Sequence, residues 1–205
     1  MKKTFAFIWI FLPSVIFATG NNWYISNVSS GNANGDSWTN KGKFSTFNWA
    51  SVEAGDVVYL DGGADSVTYN VSSYSITTHG TAANYITITK GIDAGHNGKV
   101  IIQKNNTGNV GFAFDDISYT IIENMTWKGR LTASGSEIYM ADFNGDANCV
   151  TFQNIVYYSN YNSGITCETT STSDSIRWLH CTFLQNLDTG TNGSGDCFWL
   201  GGANH

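Results

Sequence analysis

Proline, charge and a helical pattern of residues are all scarce in this chain. A single proline, Pro13, stands in 205 residues, and charged side chains make up 13%. Helix bundles draw on Ala, Glu, Lys and Leu at helical spacing, so this composition argues against one. The only cysteines are Cys149, Cys167, Cys181 and Cys197, and no C-x-x-C pair exists. That spacing argues against a zinc site. The four read as small buried hydrophobes beside apolar alternations, with oxidation in an exported protein as the other reading. Positive charge is short as well, and the formal net charge is −6. Basic residues come at most in pairs, such as Lys128 and Arg130, so no nucleic-acid-binding face is expected.

The first twenty residues, MKKTFAFIWIFLPSVIFATG, stand apart from the rest. Lys2-Lys3 opens the segment, an apolar run covers Phe5 to Phe17, and Ala18-Thr19-Gly20 forms a small-x-small end. This is the pattern of a secretory signal peptide over residues 1–20. The run is short for a membrane span and contains Pro13, so no stable span is expected after cleavage. The product would be secreted, periplasmic or held at the cell surface.

Glycine and small polar residues are abundant, and they separate short apolar alternations. YTIIENMTWKG at 119–129, CVTFQNIVYYSN at 149–160 and IRWLHCTFLQN at 176–186 repeat one pattern. With Asn124, Asn154 and His180 aligned, Ile122, Phe152 and Trp178 superpose before the turn. Met125, Ile155 and Cys181 superpose after it, followed by Trp127, Tyr157 and Phe183. Repeats of this length built from strands describe the coils of a solenoid, here a parallel β-helix. No single coil can bury its own apolar face, and stacking the coils makes that face continuous. Asn tolerates the left-handed backbone that a sharp corner favours, and His is enriched there too, so His180 reads as a corner residue. Upstream strands are expected at 21–28, 56–60, 84–91 and 99–103. FSTFNWASVEAG at 44–55 reads as an amphipathic helix carrying Phe44, Phe47 and Val52, stopped by Gly55.

The opening of the chain resembles exported right-handed parallel β-helix proteins of the pectin-lyase-like superfamily. The likeness rests on Tyr24-Ile25-Ser26, the Gly31–Asp36 loop, Gly55-Asp56-Val57-Val58-Tyr59-Leu60, Gly63, Tyr69 and Asn84-Tyr85-Ile86-Thr87-Ile88. Tyr85 stands where such proteins commonly have proline. The resemblance implies an all-β, right-handed parallel β-helix over 55–205. It also implies that residues 21–54 supply a strand, a loop and a helix capping the N-terminal end. The chain ends at CFWLGGANH without a capping repeat, and further coils are expected beyond it.

The resemblance further implies a carbohydrate-active protein. A polysaccharide lyase would use Ca²⁺ to neutralise a uronate and a basic residue to remove the adjacent proton. Lys128 and Arg130 are the basic candidates. Aligning FAFD, YMAD and ITCE sets Asp115, Asp142 and Glu168 at one position in successive coils, a candidate Ca²⁺ ladder of hard oxygen ligands. A glycoside hydrolase would need two carboxylates, for which Asp115, Asp116 and Asp142 are available. The alternative is a non-catalytic adhesion or glycan-binding surface module, with a polysaccharide or surface glycan as partner in either case.

Overall fold

A computed structural model describes residues 20–72, 74–105, 110–114, 116–129, 138–142, 146–159, 163–169, 175–185 and 198–202. In chain order the first strands are β1 (Asn22–Ser26), β2 (Gly42–Lys43), β3 (Val57–Leu60), β4 (Ser66–Val71), β5 (Tyr74–Ser75) and β6 (Thr78–His79). Next come β7 (Ile86–Lys90), β8 (Lys99–Lys104), β9 (Val110–Ala113), β10 (Asp116–Lys128) and β11 (Ile138–Asp142). The last are β12 (Asp146–Ser159), β13 (Ser163–Thr169), β14 (Arg177–Leu179), β15 (Thr182–Gln185) and β16 (Phe198–Gly202). Every pairing among them is parallel, and each strand pairs with its counterpart a coil away in sequence. This is a parallel β-helix. Strands gather into an 11-stranded sheet and a 5-stranded sheet, the latter in the order β16-β13-β11-β9-β5.

Parallel stacking places equivalent residues in ladders. One runs Trp23, Val58, Ile88, Ile122, Phe152, Trp178. The expected stack of Ile122, Phe152 and Trp178 is therefore present, and the Phe152 and Trp178 rings lie 4.1 Å apart and nearly parallel. A second ladder runs Tyr69, Ile102, Trp127, Tyr157, Phe183. Its four lower members are fully buried. Burying one such side chain is worth about 1.5–3 kcal/mol, so the ladders are the main source of stability. The aromatic residues Trp127 and Tyr157 thus belong to the core.

The strands β10 and β12 continue through corners instead of stopping at them. Asn124, Asn154 and His180 have φ of 59°, 52° and 51°, the left-handed conformation expected for them. Asn154 Nδ2 donates to Asn124 Oδ1 at 3.1 Å, and Asn124 Nδ2 donates to Thr89 Oγ1 at 3.2 Å. The corner therefore carries a ladder of side-chain hydrogen bonds besides its backbone conformation. A second corner, at Tyr119, Cys149 and Ser175, is also left-handed. Nothing in the residue types flagged it, because Tyr, Cys and Ser are not the usual occupants.

The expected helix over 44–54 does not form. Two 3-10 turns, Phe44–Thr46 and Trp49–Ser51, take its place, and Phe47 between them is extended. Phe44, Trp49 and Val52 are the buried residues. Breaking the segment at Phe47-Asn48 turns each of them inward. The Asn48 side chain accepts from the Ala50 N–H and competes with a continuous helix. Phe44 packs on Tyr69 and Tyr74, and Trp49 Nε1 donates to the Tyr74 hydroxyl at 2.9 Å. Beside this segment, β2 forms the end of the sheet path as a strand of two residues, too short to template another chain.

Two substitutions at one corner separate its conformational role from its hydrogen bond. Asn154→Ala should cost about 1–2 kcal/mol from the left-handed backbone alone, plus the ladder bond. Asn154→Gly relieves the backbone and should cost less. Urea unfolding of both variants measures the difference, and equal losses would mean that the backbone conformation is not what selects Asn.

Candidate functional site

The residues singled out in the sequence scatter over the fold. Lys128 closes β10 on the outer face, half-buried, opposite Gln103 on one side and Tyr158 on the other. Gln103 Nε2 donates to the Lys128 carbonyl at 3.4 Å. Asn70 extends the row below Gln103, so the Lys128 ammonium stands in an uncharged row. Arg130 and Asp115 lie outside the described residues, and the side chains of Asp142 and Glu168 do as well. The backbone register corrects the acidic ladder. Asp142 pairs with Ala113 and Thr166, whereas Glu168 pairs with Gly201. Asp142 and Glu168 are therefore one coil and two residues apart, roughly 8 Å along the diagonal, and the three acids do not share one rung. The β11–β13 register shift between Tyr139 and Ala141 accounts for one residue of that offset, and the β9–β11 pairing that sets Asp142 beside Ala113 has no shift. A stacked Ca²⁺ ladder does not fit this backbone. No group of three His, Cys, Asp or Glu side chains converges among the described residues.

Cys149 and Cys181 are free thiols, both half-buried. Burial pushes the Cys181 thiol up, and Cys181 Sγ donates to the Phe152 and Leu179 carbonyls at 3.4 Å. Cys167 and Cys197 have no described side chain. Asp116 is exposed beside His79, its nitrogen 3.5 Å away. Lys104 is fully buried and donates to the Asn105 carbonyl at 3.1 Å, which removes it from any surface chemistry.

The best-organised polar cluster involves residues not identified from the sequence. Asp61 follows β3 directly and its side chain is 5% exposed. Lys41 Nζ lies 2.8 Å from Asp61 Oδ2, and His96 Nδ1 lies 2.9 Å from Asp61 Oδ1. The Gly63 N–H also donates to Asp61 Oδ1 at 2.8 Å. Burial pushes the Asp61 carboxyl up, but the hydrogen bonds from Lys41, His96 and Gly63 outweigh it and hold the carboxyl below the ordinary range. With Asp61 accepting at Nδ1, the His96 lone pair is left on Nε2, which makes no hydrogen bond among the described residues.

Aromatic rings stand beside this pair. Trp38 stacks on the His96 ring at 4.1 Å and 8°. Its Nε1 donates to Asp93 Oδ2 at 2.7 Å. Tyr24 meets Trp38 edge to face at 4.8 Å and stacks with Tyr59 at 5.7 Å. Strand alternation explains the row: Trp23, Ile25, Val58 and Leu60 point inward, so Tyr24 and Tyr59 point outward. Burial, followed by the nearby Tyr24 and Asp93, pushes the Tyr59 phenol up. The turns holding the pair are packed backbone on backbone. A Cβ on Gly62 would fall 2.2 Å from the Gly98 carbonyl oxygen, and one on Gly98 2.4 Å from that of Gly62.

The site lacked a sequence signal because its members come from three separate loops. Lys41, Asp61 and His96 are far apart in the chain, and neither Asp61 nor His96 belongs to the repeated line. Asp61 alone was adjacent to a recognisable motif, the GDVVYL stretch that precedes it.

Comparison with known proteins agrees with the architecture. No protein-family model matches the chain, and no curated protein does. Among solved structures, the crystal structure of pectate lyase Pel9A is similar, with a TM-score of 0.55 and 14% identity. The match covers 91% of this chain and 59% of that one. At that identity the likeness is one of fold: this chain shares a parallel β-helix with a pectate lyase, and spans about three-fifths of its length.

Proposed function

We propose that this protein is a carbohydrate-active β-helix that holds polysaccharide against its outer face and cleaves it by β-elimination. The observation that carries this reading is the Asp61–His96 pair set among Trp38, Tyr24 and Tyr59 on a fold shared with a pectate lyase. Aromatic faces suit the apolar faces of sugar rings. In a uronate, a base removes the proton beside the carboxylate, the bond to the neighbouring glycosidic oxygen breaks, and that oxygen is protonated as it leaves. His96 Nε2 is placed to accept the proton, while Asp61 fixes the ring and stabilises the imidazolium. Lys41 keeps Asp61 ionised. The leader over residues 1–20 fits an exported protein acting on extracellular or surface glycans.

A second reading places the base at Lys128, on the row of Asn70, Gln103 and Tyr158, with Arg130 two residues on in sequence as the other basic candidate. It is favoured by the one cation standing in that otherwise neutral row. Calcium as the countercharge to the uronate would draw on Asp142 and Glu168 as oxygen donors. A melt that millimolar calcium raises and chelator lowers, lost in Asp142→Asn, would support this.

The protein incubated with pectate, alginate and glycosaminoglycans should generate unsaturated product absorbance on at least one of them. His96→Gln should lower kcat on that polymer by about 10²–10⁴-fold, the range of a positioned acid or base. Lys128→Ala should act mainly on KM. The reverse pattern would move the base to Lys128, and retention of glycan on an affinity gel without product would make the protein a binding module.

Asp61 also sets a pH dependence of stability. Its carboxyl lies lower in the folded than in the unfolded chain, so its contribution is present above the unfolded value of about 3.9 and is lost as pH falls through the folded value. Acid unfolding of Asp61→Asn followed by circular dichroism should show a smaller stability loss below pH ~4 than wild type, from a lower starting stability.

A further inference from the structure

We infer that the mature chain begins at Asn21 and that its new α-ammonium is held by the buried carboxylate of Asp56. The inference rests on the leader read over residues 1–20 and on the surroundings of Asp56, and is independent of the sugar chemistry.

Asp56 is 1% exposed. Its carboxylate accepts three hydrogen bonds: the Asn21 main-chain N at 2.6 Å, Trp23 Nε1 at 2.7 Å and the Glu53 N–H at 2.9 Å. All three donors are neutral in the uncut chain, and no Lys, Arg or His side chain pairs with Asp56 among the described residues. A buried carboxylate without a countercharge is costly, and hydrogen bonds from neutral groups offset this only in part. The shortest of the three comes from the nitrogen that follows Ala18-Thr19-Gly20, the small-x-small end of the leader. Cutting there supplies the missing charge at the carboxylate.

The step itself is a peptide hydrolysis by a leader peptidase of the export machinery. Water adds to the Gly20 carbonyl carbon, and the bond to the Asn21 nitrogen breaks. Gly20 leaves with the leader as its terminal carboxylate, and the Asn21 amine takes up a proton. The ammonium then offers three donors and a full positive charge where one amide N–H stood, and charge-assisted hydrogen bonds are roughly twice as strong as neutral ones.

The local backbone holds the new terminus in place. The Asn21 carbonyl accepts from the Val57 N–H at 2.9 Å, and Asn22 pairs with Val57 at the start of the β1–β3 ladder. Position 20 is crowded in the uncut chain, since a Cβ on Gly20 would lie 1.9 Å from the Gly55 carbonyl oxygen. Glycine at 20 therefore meets two demands at once, a small residue before the cut and passage against Gly55. Removal of the leader ends that crowding and closes the first rung of the ladder on Asp56.

The test has two parts. The full chain is exported from a secreting host and its product measured by intact mass and N-terminal sequencing, with a start at Asn21 expected. Chains starting at Asn21 and at Gly20, each released from a fusion with a defined terminus, are then melted alongside the Asn21 chain acetylated at its α-amine. The free Asn21 terminus should melt about 2–4 °C or more above both others, the shift that a single added interaction gives a chain of this size. In Asp56→Asn the advantage of Asn21 over Gly20 should vanish; if that variant fails to fold, the three-way comparison in the wild-type sequence decides. A product starting at another residue, or equal melting temperatures for the three termini, overturns the inference.

Discussion

The parallel register between coils is the constraint on which the rest of this structure depends. Each strand bonds to the one a coil away, so every residue inherits neighbours of its own rung about 4.8 Å above and below. An apolar residue at an inward rung must be matched in the next coil. The Trp23-to-Trp178 and Tyr69-to-Phe183 ladders are that requirement met repeatedly. The same rule acts on corners. A backbone that turns left-handed in one coil must do so in the next, which is why Asn124, Asn154 and His180 share a conformation despite the change of side chain.

Inward rungs supply stability and outward rungs are free for function. Tyr24 and Tyr59 follow from this division, as does Lys128 between Gln103 and Tyr158. The alternation that buries Trp127 beside Lys128 also makes the lysine available at the surface. A residue's outward position sets its accessibility. Only its lateral neighbours, drawn from other coils and from loops, set its chemistry.

The two buried carboxylates at the start of the β-helix do different work. Asp56 ties β1 to the turn before β3 through Asn21, Trp23 and Glu53. Asp61, at the other end of β3, joins the loop carrying Lys41 to the turn carrying His96. Between them they anchor the segment that the sequence marked as a helix. Its pair of 3-10 turns instead delivers Phe44, Trp49 and Val52 to the core.

The sequence by itself determined the repeating architecture, because a ladder needs the same residue class at every coil and so leaves a period in the chain. Ile122, Phe152 and Trp178, and the Asn124–Asn154–His180 corner, could be read for this reason. Tertiary structure decided the features that have no period. The corner at Tyr119 and Cys149 is imposed by the coils on either side, not by the intrinsic preference of those residues. The 44–54 helix is replaced by two 3-10 turns that meet at the extended Phe47, with Asn48 capping the second. The acidic alignment slipped by two residues because successive coils differ in length, and an alternating pattern reads the same after a slip of two. The Lys41–Asp61–His96 cluster is the clearest case. Its members come from three loops that meet only once the coils have stacked, and contacts between residues so far apart in sequence are set by chain geometry, which side-chain identity alone does not encode.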